Sequence, residues 1–142
     1  MRLFSDLPPP CIPAPGCPLL VKPVPAGYPS PADDRCDGRL SLDEYLVEDQ
    51  DTTFFMRAAG SSMTGFGIHD GDLLVVDRAR RVADRSIVVA AIDGEFTVKQ
   101  FCRIPDGVLL RAGAAGHRDI LVGEGQQLAV WGVVTSSIHP LV

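Results

Sequence analysis

Of 13 basic residues only two are lysines, Lys22 and Lys99, and the second lies in a run with chemical potential. In Glu95-Phe96-Thr97-Val98-Lys99-Gln100-Phe101 the alternation reads as a strand, with residues 95, 97, 99 and 101 on one face. Phe101 beside Lys99 on that face sets the ammonium against an apolar surface. Burial there disfavours the charged form, lowers the pKa and leaves a neutral amine able to accept a proton near physiological pH. Ser62, in the small, turn-rich run Gly60-Ser61-Ser62-Met63-Thr64-Gly65, is a fitting partner. A serine hydroxyl is a weak nucleophile until an adjacent base takes its proton, and Ser-Lys is one form of that arrangement. The backbone N–H groups of Ser61 and Ser62 could supply the oxyanion donors. Composition and spacing alone favour a turn serine and an exposed strand lysine, because isolated Ser and Lys are common in such settings, and the dyad stays open at this level as the lesser reading.

Other reactive residues carry weaker patterns. His69, His117 and His139 sit in loop-like or terminal contexts without an acid at a recognisable spacing. Asp70, Asp72 and Asp77 are spread along one turn and strand, which does not make a catalytic carboxylate pair. Cys11, Cys17, Cys36 and Cys102 form no CxxC pair and have no histidine at zinc-finger spacing, so no metal and no cofactor is expected. They read as free thiols, with a Cys11–Cys17 disulfide only under oxidising conditions.

The elements that must position Ser62 and Lys99 are mostly strands. Thr52 to Ala58 is a strand ending at Gly60, with the Ser62 loop behind it. Strands follow at Asp72–Asp77, Ser86–Ile92, Glu95–Cys102, Val108–Arg111, Asp119–Val122 and Gln127–Thr135, and Asp93-Gly94 is a two-residue hairpin signal. Ser41-Leu42-Asp43-Glu44 has capping-box form, which predicts a short helix over 41–48 whose Leu42, Tyr45 and Leu46 pack into the core. The expected fold is mostly β: a compact, curved, antiparallel sheet with one short helix and an extended N-terminal arm.

The arm is defined by proline. Ten of the 12 prolines lie in residues 1–31, which bars a regular helix or a central strand there. Residues 1–27 therefore read as an extended arm and 28–142 as one domain. No apolar run approaches the roughly 20 residues of a membrane span, and no signal-peptide core is present, so the expected location is cytoplasmic. Residues 1–27 carry a net charge of +1 within an overall −5, and so acidic a body disfavours direct binding to duplex DNA.

Three segments together resemble a known family. Gly60-Ser61-Ser62-Met63, then Gly67-Ile68-His69-Asp70-Gly71-Asp72-Leu73-Leu74-Val75-Val76-Asp77, then Ile87 through Asp93-Gly94-Glu95-Phe96-Thr97-Val98-Lys99 are similar to the LexA/UmuD self-cleaving serine peptidases, with Lys99 placed 37 positions after Ser62 as in the UmuD branch. The resemblance implies Ser62 as nucleophile, Lys99 as general base, and self-cleavage at Ala26-Gly27, ahead of Tyr28-Pro29-Ser30-Pro31. It further implies a homodimer, stimulation of the cut by RecA filaments on single-stranded DNA, and a trimmed form that joins a UmuC-like Y-family polymerase subunit in SOS mutagenesis and translesion synthesis. A non-cleaving polymerase accessory subunit is the alternative. The repressor branch is disfavoured, because the proline-rich arm is too short for a helix-turn-helix unit.

Overall fold

A computed structural model describes residues 15–123 and 125–142, so Cys11 and the prolines at 8, 9, 10 and 13 lie outside the described residues. The chain divides into two compact units that meet in sequence at Tyr45 and Leu46. In the first, β1 (Cys17–Leu20) pairs antiparallel with β2 (Cys36–Leu40), with the register slipping between Pro18 and Leu20. The prolines bar a helix or a central strand here, and Pro18 is tolerated in β1 because a two-stranded ribbon has only edges and its missing N–H breaks no interior ladder.

The β1–β2 loop is closed at its base by the Val21 N–H on the Arg35 carbonyl (2.8 Å) and by Lys22 Nζ on the Pro31 carbonyl (2.6 Å). Ala26 and Gly27 lie within this loop and are exposed. Helix α1 (Leu42–Leu46) is shorter than the 41–48 pattern, and its first turn is closed by the Tyr45 N–H on the Ser41 carbonyl. Its expected core contact is absent: Leu42 is 57% and Tyr45 70% exposed. One turn is too short to present a stable apolar stripe.

The second unit is a seven-stranded antiparallel sheet. β3 (Thr53–Arg57), β4 (Leu73–Asp77), β5 (Ile87–Ile92), β6 (Glu95–Ile104), β7 (Gly107–Arg111), β8 (Ile120–Val122) and β9 (Leu128–Ile138) are ordered β3-β4-β9-β5-β6-β7-β8. These match the sequence expectation to within a few residues, and the fold is mostly β as expected. Asp93 and Gly94 both have positive φ (49° and 85°), the backbone that a two-residue hairpin requires. β9 pairs with β4 and β5 and carries one unmatched residue against each, Thr135 and Trp131.

Core packs on both sides of the sheet. Ala58, Met63, Ile68, Leu74, Val76 and Val89 form one cluster, and Val88, Ala90, Phe101, Leu110 and Val133 the other. Consecutive residues of β5 thus point into different clusters, so the sheet must curl enough to cover both of its faces. Among the described residues no helix is long and apolar enough to cross a membrane.

Candidate active site

Ser62 follows β3 in a tight turn that ends in a 3₁₀ turn at Thr64–Phe66. The turn is held from below by Met63 and Ile68, 3% and 5% exposed, and by the Ile68 N–H on the Met63 carbonyl. At its start Gly60 adopts φ +89°, a region that penalises residues with a Cβ, and its N–H donates to Asp70 Oδ1 at 2.7 Å. The β7–β8 loop clasps the other side: the Gly113 N–H donates to the Ser62 carbonyl (2.6 Å) and the Gly65 N–H to the Gly113 carbonyl (2.7 Å). A Cβ at Gly65 would stand 2.0 Å from that carbonyl oxygen and one at Gly113 2.4 Å from the Phe66 ring, so the close approach requires both glycines.

Lys99 reaches Ser62 from β6. Its Nζ lies 3.1 Å from Ser62 Oγ, 3.2 Å from Thr97 Oγ1 and 3.1 Å from the Val98 carbonyl. The residue is only 7% exposed, and none of these three acceptors carries a formal charge. Burial therefore pushes the ammonium below the ordinary lysine range. Once deprotonated, the amine has a lone pair at hydrogen-bond distance from the Ser62 hydroxyl. Among the described residues the Ser61 and Ser62 N–H groups donate to no protein acceptor, which leaves both available to a developing oxyanion.

A cleft of about 220 Å³ opens at Ser62, lined by Met56 of β3, by Ala58 just after it, by Met63, and by Phe96, Thr97 and Val98 of β6. Its β3 wall is an edge strand, so that strand's outer backbone groups are free to pair with an extended peptide. Ala26 and Gly27, the remaining residues of the expected site, belong to the first unit.

The histidines form no general base for Ser62. His117 Nε2 contacts Ser61 Oγ at 3.1 Å, one residue from the nucleophile. His139 Nδ1 lies 2.6 Å from Asp72 Oδ1, and the His69 N–H donates to Asp72 Oδ2 at 2.7 Å. Burial alone would raise the Asp72 carboxyl, but the His69 N–H and the His139 ring outweigh it and hold the group below its ordinary value. Asp70, Asp72, Gly113 and His117 are supports whose contacts sequence periodicity does not reveal. Cys17 and Cys36 are exposed thiols and Cys102 is half-buried. Among the described residues no group of three or more His, Cys, Asp or Glu side chains is placed to hold a metal.

With this geometry established, comparison with known proteins is informative. Residues 18–135 match the Peptidase S24-like family model. Protein SamA of Salmonella typhimurium is 43% identical over 122 residues, covering 86% of this chain and 84% of its own length. Protein MucA of Escherichia coli is 40% identical over 126 residues, covering 87% and 86%. LexA repressor 1 of Geobacter sulfurreducens is 34% identical over 119 residues, covering 83% of this chain but 58% of its own length. On matches of this extent, the chain belongs to the Peptidase S24-like family.

Proposed function

We propose that the chain is a self-cleaving serine peptidase in which Ser62 and Lys99 cut the Ala26-Gly27 bond. The observation that carries this reading is the 3.1 Å approach of Lys99 Nζ to Ser62 Oγ, made by a lysine buried without a counter-charge. Neutral Lys99 takes the Ser62 proton as Oγ attacks the Ala26 carbonyl, and the Ser61 and Ser62 amides hold the oxyanion. Lys99 then gives its proton to the departing Gly27 amine, leaving an ester between Ser62 and Ala26. Water, deprotonated by Lys99, releases the ester, and the chain is left as residues 27–142. Small residues on both sides of the bond let its carbonyl approach Ser62 closely.

The resemblance to the UmuD branch supports the biological setting: a cytoplasmic homodimer, cleavage stimulated by RecA filaments on single-stranded DNA, and a trimmed form serving a UmuC-like Y-family polymerase subunit in SOS mutagenesis. The test is incubation of the pure protein at rising pH, followed by intact mass. A new N-terminus at Gly27, absent in Ser62→Ala and Lys99→Ala, is expected. Protein that stays whole even with activated RecA filaments would overturn the reading in favour of a non-cleaving accessory subunit.

A further inference from the structure

A second cavity, of about 510 Å³, lies apart from the chemistry proposed for Ser62, and none of its lining residues also lines the Ser62 cleft. Arg85, Gln100 and Arg111 line it, together with Phe66 and residues 112–115 of the β7–β8 loop, and no aspartate or glutamate does. Arg111 stands directly opposite Gln100 in the β6–β7 pair, so their side chains share a face. Arg85 is tied to the same strand: its N–H donates to the Phe101 carbonyl at 2.7 Å, and its own carbonyl accepts from Gln100 Nε2 at 3.4 Å. Arg85 holds φ at +69°, a backbone region that costs energy for a residue with a Cβ and that recurs at binding sites. Among the described residues neither guanidinium lies within ion-pair distance of a carboxylate or donates to a protein acceptor. Asp84, beside Arg85 in sequence, instead accepts from the Arg103 N–H (2.8 Å), and Asp119 accepts from the Ala112 N–H (2.9 Å).

We infer that this cavity is a binding site for a phosphate group, held between Arg85 and Arg111. A guanidinium is a planar fork of N–H donors that bonds two oxygens at once. One such fork already matches both oxygens of a carboxylate, whereas a phosphate monoester carries three strong acceptor oxygens and can serve two forks. The loop adds further donors, because among the described residues the Ala114 and Ala115 N–H groups donate to no protein acceptor. The cavity thus gathers more donors than a carboxylate can use. The half-buried Phe66 ring offers an apolar surface to whatever organic group the phosphate carries. Charge points the same way: residues 78–118 contain seven arginines against four acidic residues, within a chain of net charge −5. A local excess of this kind concentrates anions where the chain as a whole repels them.

The site requires nothing of Ser62 or Lys99, so the test uses the full isotope-labelled chain carrying Ser62→Ala and follows its amide signals at fixed ionic strength, where general screening is constant. Inorganic phosphate is expected to shift the Arg85, Gln100, Ala114 and Ala115 amides saturably. Arg85→Gln and Arg111→Gln should each weaken binding roughly ten-fold or more, the worth of a charge-assisted pair. Arg111→Lys, which keeps the charge and the fold but loses the fork, should also weaken it, by a smaller factor. Arg103→Gln is the control: that arginine is exposed on β6 and does not line the cavity, so binding should change by no more than about two-fold. Acetate should bind more weakly than phosphate. A nucleoside monophosphate and a short single-stranded oligonucleotide then separate the sources. Tighter binding of the mononucleotide, lost with either arginine, identifies a small phosphorylated ligand, and tighter binding of the oligomer with the same dependence identifies a nucleic-acid backbone. Shifts that never saturate overturn the inference, as do equal binding by the Arg85, Arg111 and Arg103 variants and acetate that binds as tightly as phosphate.

Discussion

The two units differ most in what they hide. Among the described residues of the first unit not one side chain is buried, while the second contains all twelve buried hydrophobic residues together with buried Asp72, Asp77 and Lys99. The two lysines restate this on a smaller scale. Lys22 spans its loop to the Pro31 carbonyl in an exposed setting, whereas Lys99 is sealed against Ser62, Thr97 and Val98. A substrate segment must be accessible along its backbone, and a base must be desolvated and held. On the proposed reading of Ala26-Gly27 as substrate and Lys99 as base, the partition of burial would meet each requirement in a different stretch of one chain.

The largest effect that would break this contrast is chemical. Ser62→Ala or Lys99→Ala should reduce self-cleavage by about 10³-fold or more, because members of a dyad act as a unit, and intact-mass time courses would reveal a surviving rate. The next is a pair of leucines: Leu110→Ala, at 0% exposure, should cost about 2–5 kcal/mol in denaturant unfolding. Leu42→Ala, at 57% exposure, should stay within about 0.5 kcal/mol. Equal losses at the two sites would show that the first unit hides more than its exposure indicates. Smaller again, Gly113→Ala places a methyl 2.4 Å from the Phe66 ring and should cost about 1–3 kcal/mol while slowing cleavage, since the clasp on the Ser62 carbonyl must shift.

Much of this was legible in the sequence, for identifiable reasons. Strand alternation around Lys99 and the Asp93-Gly94 turn are local signals, and local signals placed β5 and β6 correctly; the oxygens that surround Lys99 Nζ carry no such signal. The clasp by Gly113 was not legible, because it joins residues about fifty positions apart through backbone groups that carry no side-chain pattern, and the His117 contact with Ser61 pairs side chains just as far apart in sequence. Proline counting says nothing for or against the ribbon at residues 17–20: it forbids central strands, and a two-stranded ribbon has none. The exposed face of α1 escaped because apolar spacing at Leu42, Tyr45 and Leu46 promises a contact without saying that one exists.

The smallest expected effect concerns the slope of stability against pH. Lys99 has its pKa lowered in the folded state by burial, so across the range between its folded value and the ordinary lysine value of 10.5 the unfolded chain binds more protons. Stability must then rise with pH through that window, since the unfolded state gives up its extra proton only at the upper end. Below the folded value both states are protonated and the buried charge is a constant penalty. Lys99→Met keeps the length of the side chain and removes the charge, so it should remove this part of the rise and leave neutral-pH stability no lower than the parent's. Urea unfolding of the two proteins in the Ser62→Ala background between pH 7 and 10.5 measures the difference. Parallel profiles would mean that Lys99 is hydrated in solution, and with that the contrast between the two lysines would lose its physical basis.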